Sequence, residues 1–193
     1  MIIDLDQDKN VSVGELRSMR VKAYHCTRAI RADIASSGLK KFDLETRIQY
    51  LDGLLRTNGL SHELLDDYFY EVRRFISGQN LSGREGLICF CLNRALFEDD
   101  DGCEKLFRYF GGEALYKVAE CTPKFGEVRG VLETIGEPLV VTASIPMSAM
   151  LPFQADRVMR YLSGDSSEYC EAFITEDVPP SDIIKIEAFN DNL

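Results

Sequence analysis

The chain has only two histidines, His25 and His62, and none of its six cysteines form a Cys-x-x-Cys pair. With so few imidazoles and no paired thiols, no zinc-ligand spacing appears and no metal site is expected. No apolar run approaches the ~20 residues needed to cross a bilayer, so no membrane partner is expected. The opening MIIDLDQDKN lacks the basic and apolar regions of a signal peptide. Positive charge is scarce: 22 Lys and Arg stand against 32 Asp and Glu, a net charge of −10. That balance argues against a generic nucleic-acid binder, because phosphate neutralisation needs clustered cations. There is no internal repeat and no low-complexity linker. Several of Cys26, Cys89, Cys91, Cys103, Cys121 and Cys170 fall in apolar strand contexts, where a free thiol behaves as a small hydrophobe. A reduced, cytoplasmic setting is the expectation.

What is present suits one globular domain over residues 1–193. The chain is 45% hydrophobic and 28% charged, ample for a core. Residues 1–18 are polar and acidic, with a short helix expected around 13–19. Alternation from Val21 to Thr27 predicts a strand ending at His25-Cys26-Thr27, after which Thr27 would cap a short helix closed by Gly38. Asp43 opens a helix carrying Ile48, Leu51 and Leu55, ended by Asn58-Gly59. Ser61 caps the next, striped with Leu64, Leu65, Tyr68, Phe69, Val72 and Phe75, with Arg73 and Arg74 in its last turn. Residues 43–76 are therefore expected to form an α-helical insertion.

The loop GQNLSGREG, 78–86, precedes a short strand at 87–92 that carries Phe90. Its glycines and Arg84 suit close approach to a phosphate, and equally a simple connecting turn. The acidic run 98–101 reads as a solvated loop or a cation site without EF-hand spacing. A helix is expected over 103–110, stopped by Gly111-Gly112 before Glu113. An edge strand is expected near 128–133 and a buried strand over 138–145. Pro152 opens a last helix, closed by Gly164.

Near the C-terminus, Tyr169, Glu171, Phe173 and Thr175 share one face of a predicted strand. Glu171 is thus an acid between two aromatics on a half-buried face, which calls for either a structural partner or a chemical task. Val178-Pro179-Pro180 then breaks the ladder, Ser181-Asp182 turns, and Ile183, Ile184 and Ile186 begin another strand. His25, at a strand end before a helix, is placed to meet a ligand or to serve as a structural histidine. Mixed strands and helices without a βα repeat predict an α+β fold with a mainly antiparallel sheet.

These pieces together resemble the ADP-ribosyltransferase fold. Tyr24-His25-Cys26-Thr27 followed by Gly38-Leu39 resembles the first strand and helix of the histidine-first clade, which includes poly-ADP-ribose polymerases, diphtheria-type toxins and DarT-type toxins. Glu171 before Val178-Pro179-Pro180-Ser181-Asp182-Ile183 is similar to the late glutamate strand of the DarT-like enzymes. The match spans residues 21–39 and 83–186 and leaves 43–76 without a counterpart. It implies a split, mainly antiparallel sheet of ADP-ribosyltransferase type with a flanking helical insertion. It further implies an NAD-dependent transfer of ADP-ribose to an acceptor, or NAD hydrolysis, in the manner of a toxin-like glycosyltransferase, with no metal. By this resemblance Glu171 is catalytic, His25 and Thr27 contact the ribose and amide, Arg28 or Arg84 neutralises the pyrophosphate, and Phe90 stacks on nicotinamide. Glu113, after Gly111-Gly112, is the alternative acid.

Two departures refine this reading. Position 169 is Tyr, so the Glu-x-Glu or Gln-x-Glu signature of arginine- and Rho-modifying toxins is missing, which argues against an arginine acceptor. Phe90 stands where many relatives carry Tyr. Two other readings remain. One is an RNA 2′-phosphotransferase-like enzyme, disfavoured by the acidic composition. The other is a non-catalytic interaction module of immunity, antitoxin or adaptor type, in which His25 and Glu171 are structural.

Overall fold

A computed structural model describes residues 2–8, 18–78, 84–98, 103–163 and 170–189. Most of the short helix expected around 13–19, most of the glycine-rich loop, most of the acidic run, Gly164 and Tyr169 lie outside those residues. The described elements are, in order, β1 (Ile2–Ile3), β2 (Arg20–Ala29), α1 (Arg31–Ser37), α2 (Leu44–Thr57), α3 (His62–Gly78) and β3 (Ile88–Cys91). Then come α4 (Ala95–Glu98), α5 (Glu104–Arg108), α6 (Glu113–Cys121), α7 (Gly126–Leu132) and β4 (Glu137–Pro146). Last are α8 (Pro152–Leu162), β5 (Glu171–Ile174) and β6 (Ile183–Ala188).

The fold is α+β. The six strands among the described residues form one open sheet of order β5-β3-β2-β4-β6, with β1 added to the start of β2. Every pairing is antiparallel except β1 with β2. The long strands β2 and β4 pair along their full length, from Arg20↔Pro146 to Ala29↔Glu137. β4 is the centre of the sheet: its residues 139–145 are all buried, as a β-branched run covered on both faces requires.

β2 and β3, in contrast, share a single register pair, Tyr24↔Cys91. β1 occupies the same edge of β2 at Arg20 and Val21, and Phe110 bridges to it at Arg28. Among the described residues the edge between Tyr24 and Arg28 therefore has no ladder partner. This gap positions the site.

Among the described residues three clusters fill the interior. One covers one sheet face, where α8 seats Val158 and Leu162 against Phe90, Leu92, Val141 and Ala143. A smaller one covers the other face with Tyr24, Cys26, Val140, Phe97, Cys103 and Phe107. The third is helical. Ile48, Leu51 and Leu55 of α2 and Leu65, Tyr68, Phe69, Val72 and Ile76 of α3 pack on Leu115, Val118, Val128 and Leu132 of α6 and α7. The helices of residues 43–76 thus share a core with the later segment 109–135. The caps are as the sequence predicts: the Asp43 carboxylate accepts from Thr46 N at 2.7 Å and Ser61 Oγ from Leu64 N at 3.3 Å.

Several local expectations are corrected. Strand β2 runs on to Ala29 and Ile30 occupies the cap position of α1, so Thr27 is inside a strand and caps nothing. Its full-length pairing with β4 outweighs the local capping preference of threonine. Residues 128–133 are mostly helix α7, not an edge strand, because Val128 and Leu132, one turn apart, both enter the helical core. α3 continues to Gly78, beyond Arg73 and Arg74, and buries Ile76 where Phe75 is only half-buried. The face of β5 that packs is Ala172 and Ile174, while Glu171 is exposed. The Pro-Pro segment is not a tight turn between neighbouring strands: it carries the chain from β5 at one sheet edge to β6 at the other.

Candidate functional site

The unpaired edge of β2 opens onto a cavity of about 400 Å³, within the range of roughly 300–1,000 Å³ usual for ligand pockets. His25 and Cys26 line it from β2, Cys89, Phe90 and Cys91 from β3, and Glu171 and Phe173 from β5. The helical side contributes Phe42, Arg47, Gly112, Glu113 and Tyr116, and the chain before β3 contributes Lys40 and Arg84. Of the residues singled out from sequence, the structure brings together His25, Arg84, Phe90, Glu171 and the alternative acid Glu113.

They do not all stand on one sheet face. Pairing Cys91↔Glu171 and Cys89↔Phe173 puts those four side chains on one face, with Phe90 and Ala172 on the other. His25, adjacent to Tyr24, alternates onto the Phe90 side, and the two rings meet edge-on with centroids 5.8 Å apart. One cavity can reach both faces because it opens where β2 and β3 have parted.

His25 Nδ1 donates to the carbonyl oxygen of Cys89 at 2.9 Å, across the gap between the strands. The bond fixes the ring and leaves Nε2 as the accepting nitrogen. Burial lowers the pKa of His25, and the Arg47 charge adds to this, so the imidazole is held neutral.

The acids gather around Cys89. Burial raises its thiol pKa; Glu171 and Glu113 push it the same way and the Arg84 charge opposes them. Glu113 begins α6, a favourable place for a carboxylate, and is ion-paired to both Arg84 and Lys117. Glu171 makes no ion pair among the described residues and stands exposed at the cavity mouth. Burial pushes the Tyr116 phenol up to about 12, with Glu113 contributing.

Thr27 and Arg28 lie away from the cavity. The Arg28 guanidinium donates to the carbonyls of Ile135 at 2.8 Å, Gly136 at 3.2 Å and Phe107 at 3.3 Å. It ties the start of β4 to the end of α5. Phe90, though on the wall, is only 2% exposed and belongs to the sheet core. Phe173 and Phe42, both half-buried, are the aromatic surfaces a planar ring can reach.

Two features escape a reading of the sequence. Arg47 lines the cavity from α2, makes no ion pair among the described residues, and is drawn below the usual guanidinium range by burial. Nothing in the pattern of α2 marks it, since it is a polar residue beside the buried Ile48. The second is a meeting of three thiols: the sulfurs of Cys26, Cys91 and Cys103 all lie within 4.8 Å of one another on the cavity wall. They come from β2, β3 and the residue before α5, so sequence spacing carries no trace of them.

No family model, curated protein or solved structure shows a significant match to this chain. Among the described residues no helix is long and apolar enough to cross a membrane.

Proposed function

We propose that this chain is an NAD-dependent ADP-ribosyltransferase-like enzyme that uses the cavity between β2 and β3 to bind NAD and to transfer its ADP-ribose to an acceptor or to water. The sheet would then be the split, mainly antiparallel sheet of the ADP-ribosyltransferase type, parted where His25 sits. The observation that carries the reading is the meeting, in one cavity, of a fixed neutral histidine, two carboxylates and two arginines contributed by segments far apart in sequence.

Cleavage of the nicotinamide–ribose bond builds positive charge on the ribose, as in glycoside hydrolysis. A carboxylate at that position stabilises the charge and can orient the acceptor, which is the role of Glu171. His25 positions the ribose through Nε2. Arg47 and Arg84 meet the pyrophosphate, Arg47 without an anion to release first. Arg28 and Thr27 are structural, and Phe90 backs His25 while Phe173 offers the stacking surface.

The test is calorimetric titration with NAD, followed by nicotinamide release from the wild type, Glu171→Gln and Glu113→Gln. Turnover should fall about a hundredfold or more in Glu171→Gln while binding survives. Loss in Glu113→Gln with Glu171→Gln active moves the catalytic role to Glu113. A wild-type protein that binds no NAD overturns the enzyme reading. It would favour the non-catalytic interaction module, for which the burial of Phe90 and the backbone contacts of Arg28 already speak, since both side chains are occupied structurally.

A further inference from the structure

The three-thiol cluster has no part in the chemistry above, and it stands on its own geometry. We propose that Cys26, Cys91 and Cys103 bind a single thiophilic divalent metal ion, zinc in the first instance, with its fourth coordination position open to the cavity. Three mutually adjacent sulfurs are a soft, anionic donor set of the kind that selects zinc over magnesium or calcium.

The distances fit. A Zn–S bond of about 2.3 Å sets the sulfurs of a tetrahedral site roughly 3.8 Å apart. The observed sulfurs lie within 4.8 Å of one another, so closing on an ion asks each to move by less than about an ångström, within reach of small side-chain rotations. Two of the three ligands are carried by paired strands: Cys91 lies opposite Tyr24, and Cys26 is two residues on from Tyr24. Phe97, Phe107 and Val140 pack around the cluster on its inner side, where they exclude water and strengthen metal–thiolate attraction. On the outer side the cavity supplies an entry path to the open position.

The charges balance. A cysteine binds a metal ion as its thiolate. As each sulfur takes the ion, its proton passes to solvent, so binding releases three protons. Three thiolates and one divalent ion leave a single negative charge, in a cavity that Arg47 and Arg84 also line.

The experiment uses the full chain, reduced and metal-free, titrated with cobalt(II) and then with zinc(II). One equivalent of cobalt should saturate a thiolate-to-metal charge-transfer band together with intense tetrahedral d–d bands, and zinc should abolish both. Cys103→Ala should weaken cobalt binding by more than the roughly 10–100-fold lost with an outer-shell partner. Cys121→Ser, at an exposed thiol on α6, should leave it unchanged. Because Cys103→Ala removes a buried side chain and can unfold the protein, alkylation of the wild type provides a second readout. Zinc should protect Cys26, Cys91 and Cys103, identified by peptide mass spectrometry, and leave Cys121 reactive. Absence of the charge-transfer band in the wild type, its persistence in folded Cys103→Ala, or zinc protection of a different set of cysteines overturns the proposal. The readout is the metal alone, so its failure and the failure of NAD binding are separate results.

Discussion

Gly38 and Val178 meet so closely that a Cβ on residue 38 would lie 2.0 Å from the Val178 carbonyl oxygen. Beside this contact Leu39 and Val178 exchange both backbone hydrogen bonds at 2.9 Å. The Asp177 carboxylate, held below the ordinary range by the Lys41 N–H and the Lys40 ammonium, adds a third tie. The segment that crosses from β5 to β6 is thereby clamped to the end of α1. The same clamp fixes Lys40, and with it one wall of the cavity.

Gly38→Ala should therefore destabilise the protein by about 3 kcal/mol or more. A φ of +73° alone costs a side chain roughly 1–3 kcal/mol, and the clash with a backbone oxygen cannot be relieved by a rotamer change. Gly53→Ala is the matched opposite. It lies within α2 with nothing inside 4 Å of its added methyl, so it should stabilise by about 0.5–1 kcal/mol. Urea unfolding of both variants checks the pair; a Gly38→Ala midpoint equal to the wild type's refutes the clamp.

His25 predicts a pH dependence. Its pKa is lowered in the folded state, so the unfolded chain binds the proton more readily. The stability gained by keeping the ring neutral is fully present above the unfolded value of about 6.5. It is lost as pH falls from there toward the folded pKa. Stability of the wild type should thus rise with pH through this window, and His25→Gln, which retains a side-chain N–H donor, should show a shallower slope. Unfolding midpoints measured from pH 5 to 8 decide the matter; parallel slopes would remove the buried, neutral histidine.

Gln154 holds the exposed ladder of β5. Its side-chain oxygen accepts from Phe173 N at 2.8 Å, and the residue is only 2% exposed. Gln154→Leu fills the same space but leaves that N–H without its partner, at a cost of about 1–3 kcal/mol. Amide exchange at Phe173 should accelerate beyond the global change, since β5 sits at the sheet edge. If Phe173 exchange tracks global stability alone, Gln154 does not secure the strand.

Arg47→Met separates binding from folding. The substitution keeps an apolar stem and removes a charge that burial disfavours, so stability should hold or rise slightly. Under the NAD reading, loss of a charged hydrogen bond of about 1.5–3 kcal/mol lowers NAD affinity at least roughly tenfold. Calorimetry on folded Arg47→Met gives the answer, and unchanged affinity excludes Arg47 from the pyrophosphate site.

The sequence by itself determined what local chemistry can decide. Asp43 and Ser61 had to cap helices, because their side-chain oxygens satisfy amides that a helix start leaves free. The β-branched run of β4 had to be a buried strand, and the stripe from Leu65 to Val72 had to face a core. Where a residue's role depended on neighbours remote in the chain, the local pattern misled or was silent. Thr27 has the chemistry of a cap, yet β4 continues alongside it and keeps it in the ladder. Val128 and Leu132 suit a strand or a helix, and only the helical core chose between them. Glu171 was legible as an acid in a strand, but its face was set by the register with Cys91. Arg47 and the three thiols share a cavity wall only where α2, β2, β3 and the residue before α5 converge in the folded chain. Spacing along a chain fixes which side chains share a face, whereas convergence across strands and helices is a property of packing, and packing belongs to the whole fold.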